Sequence, residues 1–160
     1  MTALLRTAHL LALGTWVGSV VFFSFFTAPT LFGALPRDMA GRAVSAIFPR
    51  YYVLGAVCGV VALLSGLLLG ARQPAFGRLL ACELVLLGLM TGIVVYAGRV
   101  VLPQAAQARL ALSALEGTAA HEETKARFDA LHRRSVLLNG LVLILCLGSV
   151  FIIARESRFP

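Results

Sequence analysis

Four long runs of apolar residues alternate with short charged segments along the chain. The runs cover about residues 4–28, 51–70, 79–101 and 136–154. Each is close to the ~20 residues that a helix needs to cross about 30 Å of hydrocarbon. The pattern predicts an all-α fold, in which a single domain of residues 1–160 forms an integral membrane four-helix bundle.

The polar segment 102–135 separates the third run from the fourth. It is rich in Ala, Leu, Glu and Arg, which favour helices. We expect a partly helical extramembrane loop, broken near Gly117-Thr118 into two helical pieces. This loop is the place where a protein partner is expected to dock.

The composition agrees with a membrane protein. Of the residues, 59% are hydrophobic and 13% are charged, against about 25% charged in soluble domains. The first run begins near Arg6 and could be a signal peptide, but its apolar stretch is longer than the usual ~7–15 residues and no A-x-A-like site follows. A membrane span is the better interpretation, and we expect a multi-pass protein of the cell membrane, the inner membrane in a bacterium.

The basic residues lie beside the spans. A net charge of +7 would suggest nucleic acid as the partner of a soluble protein, but flanking arginines serve membrane orientation and anionic headgroups. The lipid bilayer is therefore the expected partner, and nucleic acid is not. Both termini and the 71–78 turn share one side, here called side A, and the loops 29–50 and 102–135 share side B. Side B has more basic residues, which favours it as the cytoplasmic side, but the arginines of side A are more closely spaced. The orientation of the protein in the membrane therefore stays open.

The cysteines and histidines give no sign of a cofactor. Each of the cysteines lies in a different run without a C-x-x-C pair, and small apolar packing is their expected role: Cys58, Cys82 and Cys146. The histidines are expected at different depths, which excludes a bis-His haem but leaves a single-His haem or metal open: His9, His121 and His132. No nucleophile motif or phosphate loop is present, so no enzyme activity is expected.

Two ionisable residues lie inside the apolar runs at a similar depth from side A, His9 in the first and Glu83 in the third. Such residues face the bundle interior and usually pair. The pair would be either a structural clasp or a proton-linked ligand or ion site, with Glu83 as the carboxylate and His9 titrating near neutral pH. Trp16 is included in this candidate polar site.

A sequence repeat relates these two runs. "HLLALGTWVG" from His9 and "ELVLLGLMTG" from Glu83 share a polar-x4-Gly-x3-Gly pattern. The glycines fall about 140° and 180° from the polar residue, and small-x3-small faces allow close helix approach within a bundle or between subunits. We therefore predict helix-packing roles for Gly14, Gly18, Gly88 and Gly92. Residues 50–72 and 133–155 also align, which is consistent with two parallel-repeat helical hairpins.

The chain resembles the transmembrane protein 205-like domain family. The resemblance lies in His9, "GTWVGSVVFFSFFTAPTLF", "AGRAVSAIFPRYY", the Tyr96-to-Pro103 segment and "LHRRSVLLNG". It implies a four-helix membrane domain of unknown biochemical function, found in bacteria and eukaryotes, without established catalytic residues; an acid at the Glu83 position is not part of its pattern. Besides His9, the positions that match are Gly18, Pro29, Phe48, Pro49, Tyr51, Pro103, His132 and Asn139.

Two of these positions also have a structural interpretation. Pro49 cannot donate a helical hydrogen bond and is expected in the first turn of the second span. Asn139 is expected to form a hydrogen bond across helices.

Three functional hypotheses follow from the sequence. The first is a transporter-like or ligand-binding membrane protein with its site at His9 and Glu83. The second is a structural or partner-binding protein, as a homo-oligomer or with another chain, that docks through 102–135. The third is a haem or metal redox protein.

Overall fold

The computed structural model describes residues 2–72, 77–115 and 120–156, and these are almost entirely helical. They form four long helices: α1 (Thr2–Ala34), α2 (Arg37–Gly70), α3 (Arg78–Ala114) and α4 (Ala120–Glu156). All four are long and apolar enough to cross a membrane. The fold is the predicted all-α membrane bundle, and the protein is a multi-pass membrane protein.

The helices are longer than the apolar runs. With 33 to 37 residues each, they extend about 50 Å at 1.5 Å per residue, beyond the ~30 Å of hydrocarbon. Most of the additional length lies on side B, where residues 102–114 continue α3 and residues 120–135 begin α4. The two helical pieces predicted for 102–135 are confirmed, but they prolong the spans instead of forming a separate loop. The predicted break at Gly117-Thr118 lies outside the described residues.

The second helix begins earlier than predicted. It starts at Arg37, so Pro49 lies inside it and not in its first turn. That prediction is wrong because membrane helices tolerate an internal proline when neighbouring helices and side chains compensate for the lost backbone hydrogen bond. The segment 37–48, read from the sequence as part of a loop, is therefore helical.

The bundle core is centred on Trp16, which is 1% exposed. Its indole packs on Gly55 and Gly59 of α2, with Nε1 at 3.1 Å and Cζ3 at 3.0 Å from the points that Cβ atoms would occupy. Thr91 of α3 also approaches Gly59 closely. These two glycines on α2 allow α1, α2 and α3 to come together.

The glycines predicted to pack the helices lie on the outer face instead. No heavy atom of the described residues lies within 4 Å of the Cβ position of the four predicted glycines: Gly14, Gly18, Gly88 and Gly92. A role within the bundle is therefore wrong for them, because the side chains opposite them, His9 and Glu83, turn inward. A contact between subunits stays a prediction.

The sequence repeat is a structural repeat. His9 and Glu83 are 74 residues apart, and the same separation relates other buried positions of α1 to buried positions of α3. These positions in α1 are His9, Leu13, Trp16, Val20 and Phe23, and their counterparts in α3, in the same order, are Glu83, Leu87, Met90, Val94 and Ala97. The same separation relates two π-helical turns, Phe23–Thr27 and Ala97–Val101. Pro29 and Pro103 each follow one of these turns. The bundle is thus built from two parallel hairpins, α1–α2 and α3–α4.

Candidate functional site

His9 and Glu83 meet in the interior of the bundle. The distance from His9 Nε2 to Glu83 Oε1 is 2.8 Å, and the two residues are 5% and 2% exposed. In the described chain, α1 touches α2 and α4 but makes no backbone contact with α3. The two side chains therefore join diagonally opposite helices, one from each hairpin.

The other ring nitrogen of His9 is held by α2. Nδ1 lies 3.0 Å from the Ala62 carbonyl oxygen and 3.1 Å from Ser65 Oγ. A carbonyl only accepts hydrogen bonds, and the Ser65 hydroxyl has its own acceptor in the Val61 carbonyl at 2.7 Å. We therefore place a proton on Nδ1, which donates to both oxygens.

This arrangement leaves one proton for His9 and Glu83 to share. With Nδ1 protonated, the contact at Nε2 needs a single hydrogen, which resides either on the imidazole or on the carboxyl group. The pair is neutral overall in both cases. Loss of that proton leaves a buried carboxylate without its partner, and gain of another leaves a buried imidazolium, and either charge is unfavourable in the membrane interior.

Small neighbours make room for the imidazole. Gly66 of α2 lies next to the ring, with His9 Cε1 3.4 Å from the position of a Cβ atom. Trp16 lies two helical turns away on the same face of α1 and fills the core next to the pair. Sequence reasoning found the pair and Trp16 but missed Ser65 and Gly66, since serines and glycines are common throughout these spans.

A second polar cluster lies toward side B. Tyr51 donates a hydrogen bond from its hydroxyl to Asn139 Oδ1, and Asn139 Nδ2 donates to Ser24 Oγ at 3.0 Å. Tyr52 and Ser135 form a further hydrogen bond of 3.0 Å between α2 and α4. The predicted interhelical role of Asn139 is confirmed.

Aromatic rings form the wall of this cluster. Phe23 lies 5.1 Å from Phe48 and 5.2 Å from Tyr51, and Phe48 stacks on Tyr52 at 5.6 Å between ring centroids. Phe48 and Tyr51, two positions of the family resemblance, are thus joined in one cluster. His132, a third such position, is exposed and stacks on Phe128 at 6.3 Å.

The histidines do not come together. His9 lies near side A, and His132 lies beyond the side B end of the fourth apolar run. Across residues 2–72, 77–115 and 120–156, no three His, Cys, Asp or Glu side chains are close enough to hold a metal ion.

On side B, Arg109 joins the extension of α3 to the start of α2. Its guanidinium donates to the Asp38 carbonyl oxygen at 2.8 Å, to Asp38 Oδ1 at 3.1 Å and to Ser45 Oγ at 3.1 Å, and it lies over Gly41. Sequence reasoning missed this contact, because it joins residues far apart along the chain, in two segments expected to be loops. The extension is therefore a packed part of the fold.

These features define a class of protein: a four-helix membrane protein of two repeated hairpins with a buried histidine–carboxylate pair between them. The chain belongs to the family described as "Domain of unknown function (DUF4149)", whose family model matches residues 11–114. It is also similar to an "Uncharacterized protein" of Aquifex aeolicus (strain VF5), with 43% identity over 54 residues. That match covers 34% of this chain and 41% of the relative, so the chain spans less than half of the relative's length. No solved structure matches the chain.

Proposed function

We propose that this chain is a transporter-like membrane protein that binds a cation at His9 and Glu83 in exchange for the proton that they share. One observation supports the proposal most directly: an acid and an imidazole, both almost fully buried, meet across the bundle at 2.8 Å. Ionisable groups inside membrane bundles are rare and mark ion and proton pathways. In this proposal the protein acts by binding, and it is not an enzyme.

The charge balance of the pair explains why the ligand is a cation. The pair is neutral with one proton, and a cation that bound to the Glu83 carboxylate would add a charge to a low-dielectric site. Release of the shared proton keeps the site neutral, with His9 as the neutral imidazole. Cation binding and proton release are therefore coupled in this proposal.

The test uses purified protein in liposomes that contain a pH-sensitive dye. Addition of Na⁺, K⁺ or tetraphenylphosphonium to the wild type should release protons with at least one of these cations. Glu83→Gln should abolish the release, because a neutral amide cannot exchange a proton for a cation. Glu123→Gln is the matched control, since Glu123 is exposed in the first turn of α4, and it should respond as the wild type does.

The same samples separate this function from a structural clasp. A ligand that binds only the folded protein stabilises it by about 2.7 kcal/mol at a hundredfold excess over Kd, so the active cation should also raise the melting temperature. If no cation releases protons or raises the melting temperature, and Glu83→Gln only melts earlier, the pair is a clasp and the proposal is wrong.

Two finer assignments belong to the same proposal. The likeness to the transmembrane protein 205-like family is supported by the match of residues 11–114 to a domain of unknown function and by the four membrane-spanning helices. Residence in the cell membrane, in a bacterium the inner membrane, is supported by the spans and by a bacterial relative.

A second candidate function is partner binding on side B. The observation that favours it is the set of exposed charged side chains on α4 before its span, which includes Glu123, Lys125 and Asp129. Arg109, in the part of segment 102–135 that continues α3, forms a hydrogen bond with Asp38 of α2. Deletion of the whole segment 102–135 would therefore disturb the bundle. Charge reversal at the three exposed residues is the sharper test: it should abolish pull-down of a partner without a change in melting temperature, and unchanged capture would contradict the hypothesis.

A further inference from the structure

The two interfaces between the hairpins are unequal. Contacts within the hairpin α1–α2 and within the hairpin α3–α4 are equally extensive, as a repeat requires. The interface of α2 with α3 is close, whereas that of α1 with α4 is much sparser. Among the described residues, no Cα atom of 23–34 lies within 8 Å of one in α4. Toward side B, the contact between α1 and α4, here called the α1–α4 seam, is made by side chains alone.

The residues at the two interfaces differ in the same way. A hydrogen bond of 3.0 Å joins Ser24 to Asn139 across the α1–α4 seam. The positions that correspond to them in the repeat are Gly98 and Ala56, which are small and apolar. Gly98 packs directly on Tyr52, whose Cβ lies 3.0 Å from the point that a Gly98 Cβ would occupy. Close backbone packing at one interface is thus replaced at the other by a hydrogen bond between polar side chains.

The local backbone at the seam is also irregular. Ser24 lies in the π-helical turn Phe23–Thr27, and such turns are frequent at functional sites. Next to it, Phe23, Phe48 and Tyr51 present aromatic surfaces within about 5 Å to 6 Å of one another. The seam therefore combines uncharged hydrogen-bonding groups with an aromatic wall.

We propose that the α1–α4 seam binds a membrane-soluble molecule with a planar, uncharged, hydrogen-bonding head group, such as a quinone. The head would enter sideways from the bilayer, next to α4, the least buried of the four spans. Its oxygens would accept hydrogen bonds from Ser24 and Asn139 and replace the bond between them, while its ring would pack on the aromatic wall. The tail would stay in lipid. This site is separate from His9 and Glu83 and does not depend on the function proposed for them.

The class of ligand follows from the lining groups. The hydroxyls of Ser24 and Tyr51 and the amide of Asn139 carry no charge, so a charged head would lose its hydration without a compensating partner. A purely apolar molecule would leave the Ser24 and Asn139 groups without hydrogen bonds once it separated them. An uncharged head with carbonyl oxygens avoids both penalties.

The test is equilibrium binding of decylubiquinone to the purified protein in detergent, with decylbenzene as a probe that has the tail but not the carbonyl groups. We expect saturable binding of decylubiquinone that decylbenzene does not displace. Asn139→Leu should weaken it about tenfold or more, the equivalent of about 1.4 kcal/mol, and Ser24→Ala should weaken it by less. Tyr96→Phe is the control, since Tyr96 lies in α3 under Arg134, and its affinity should equal that of the wild type.

Each outcome of this test either supports or overturns the proposed site. Absence of saturable binding, displacement by decylbenzene, or unchanged affinity in folded Asn139→Leu would each overturn the proposal. If Asn139→Leu does not fold, Ser24→Ala decides: weaker binding supports the site, and unchanged affinity overturns it. None of these results depends on Glu83, so Glu83→Gln should bind decylubiquinone as the wild type does.

Discussion

At the side A end, His9 and Glu83 join α1 to α3 through the centre of the bundle, whereas at the side B end Ser24, Asn139 and Tyr51 join three helices at its edge. The first set is ionisable and almost completely buried, and the second is uncharged and half-buried. This difference is the reason why we propose different ligands for the two ends. The proposal is a cation in exchange for a proton at the first set, and an uncharged hydrogen-bonding molecule at the second.

The largest loss of stability is expected from a substitution in the packed core between the two ends. Gly59→Val should destabilise the protein by about 3 kcal/mol, the upper part of the range for an overpacked core, because its side chain would collide with Thr91 and Trp16. Gly88→Val is the control, since no heavy atom of the described residues lies within 4 Å of its Cβ position, and it should change stability by less than about 0.5 kcal/mol. Unfolding in mild detergent measures both, and equal effects would contradict the described packing.

The next largest loss of stability is expected when the His9–Glu83 pair near side A is broken. Glu83→Ala should destabilise the bundle by about 1–3 kcal/mol, because it leaves the Nε2 atom of His9 buried without its partner. His9→Ala, combined with Glu83→Ala in a double-mutant cycle, should give an interaction energy of about 1 kcal/mol or more. Additive effects would show that the two side chains do not interact in the membrane.

A smaller effect is expected at the side B cluster. Asn139→Leu removes two interhelical hydrogen bonds, each about 0.6 kcal/mol on average in a membrane protein, so it should destabilise by about 1 kcal/mol. Its effect should add to that of Glu83→Ala, because the two sites lie at opposite ends of the bundle. A clear interaction energy between them would contradict their independence.

The smallest effect is expected outside the membrane. Arg109→Gln removes a partly exposed ion pair with Asp38, and such pairs contribute about 0–1 kcal/mol. The melting temperature should fall only slightly, while protease cleavage between α3 and α4 should become faster as the extension loosens. Unchanged cleavage would mean that Arg109 does not hold the extension.

Much of this architecture was readable from the sequence because hydrophobic runs and helical periodicity are local. Four spans, the depth of His9 and Glu83, and the repeat all follow from spacing along the chain. The helix ends were not readable: α2 begins at Arg37, upstream of a proline that locally indicates a boundary. The sequence also left open whether the glycines pack within the bundle or between subunits, because the pattern of Gly14 and Gly18 gives a small face but not the direction in which it points.

The contacts that sequence reasoning missed are long-range. Arg109 contacts Asp38 and Ser45 only after α3 and α2 have packed. Ser24 contacts Asn139 of a helix far away in the sequence, and helical periodicity does not predict such a contact. The asymmetry of the two hairpin interfaces depends on the three-dimensional arrangement. In the sequence, this asymmetry is visible only when repeat-related positions are compared, Ser24 with Gly98 and Asn139 with Ala56.

The most direct test of the central claim is the ¹⁵N NMR spectrum of the His9 side chain in lipid bilayers, assigned by its loss in His9→Asn. The account predicts that Nδ1 carries a proton and donates it to the Ala62 carbonyl, and that the Nε2 resonance moves in Glu83→Gln because the shared proton changes its partner. An unprotonated Nδ1, or an Nε2 resonance that is the same in wild type and Glu83→Gln, would contradict the shared proton and the function built on it.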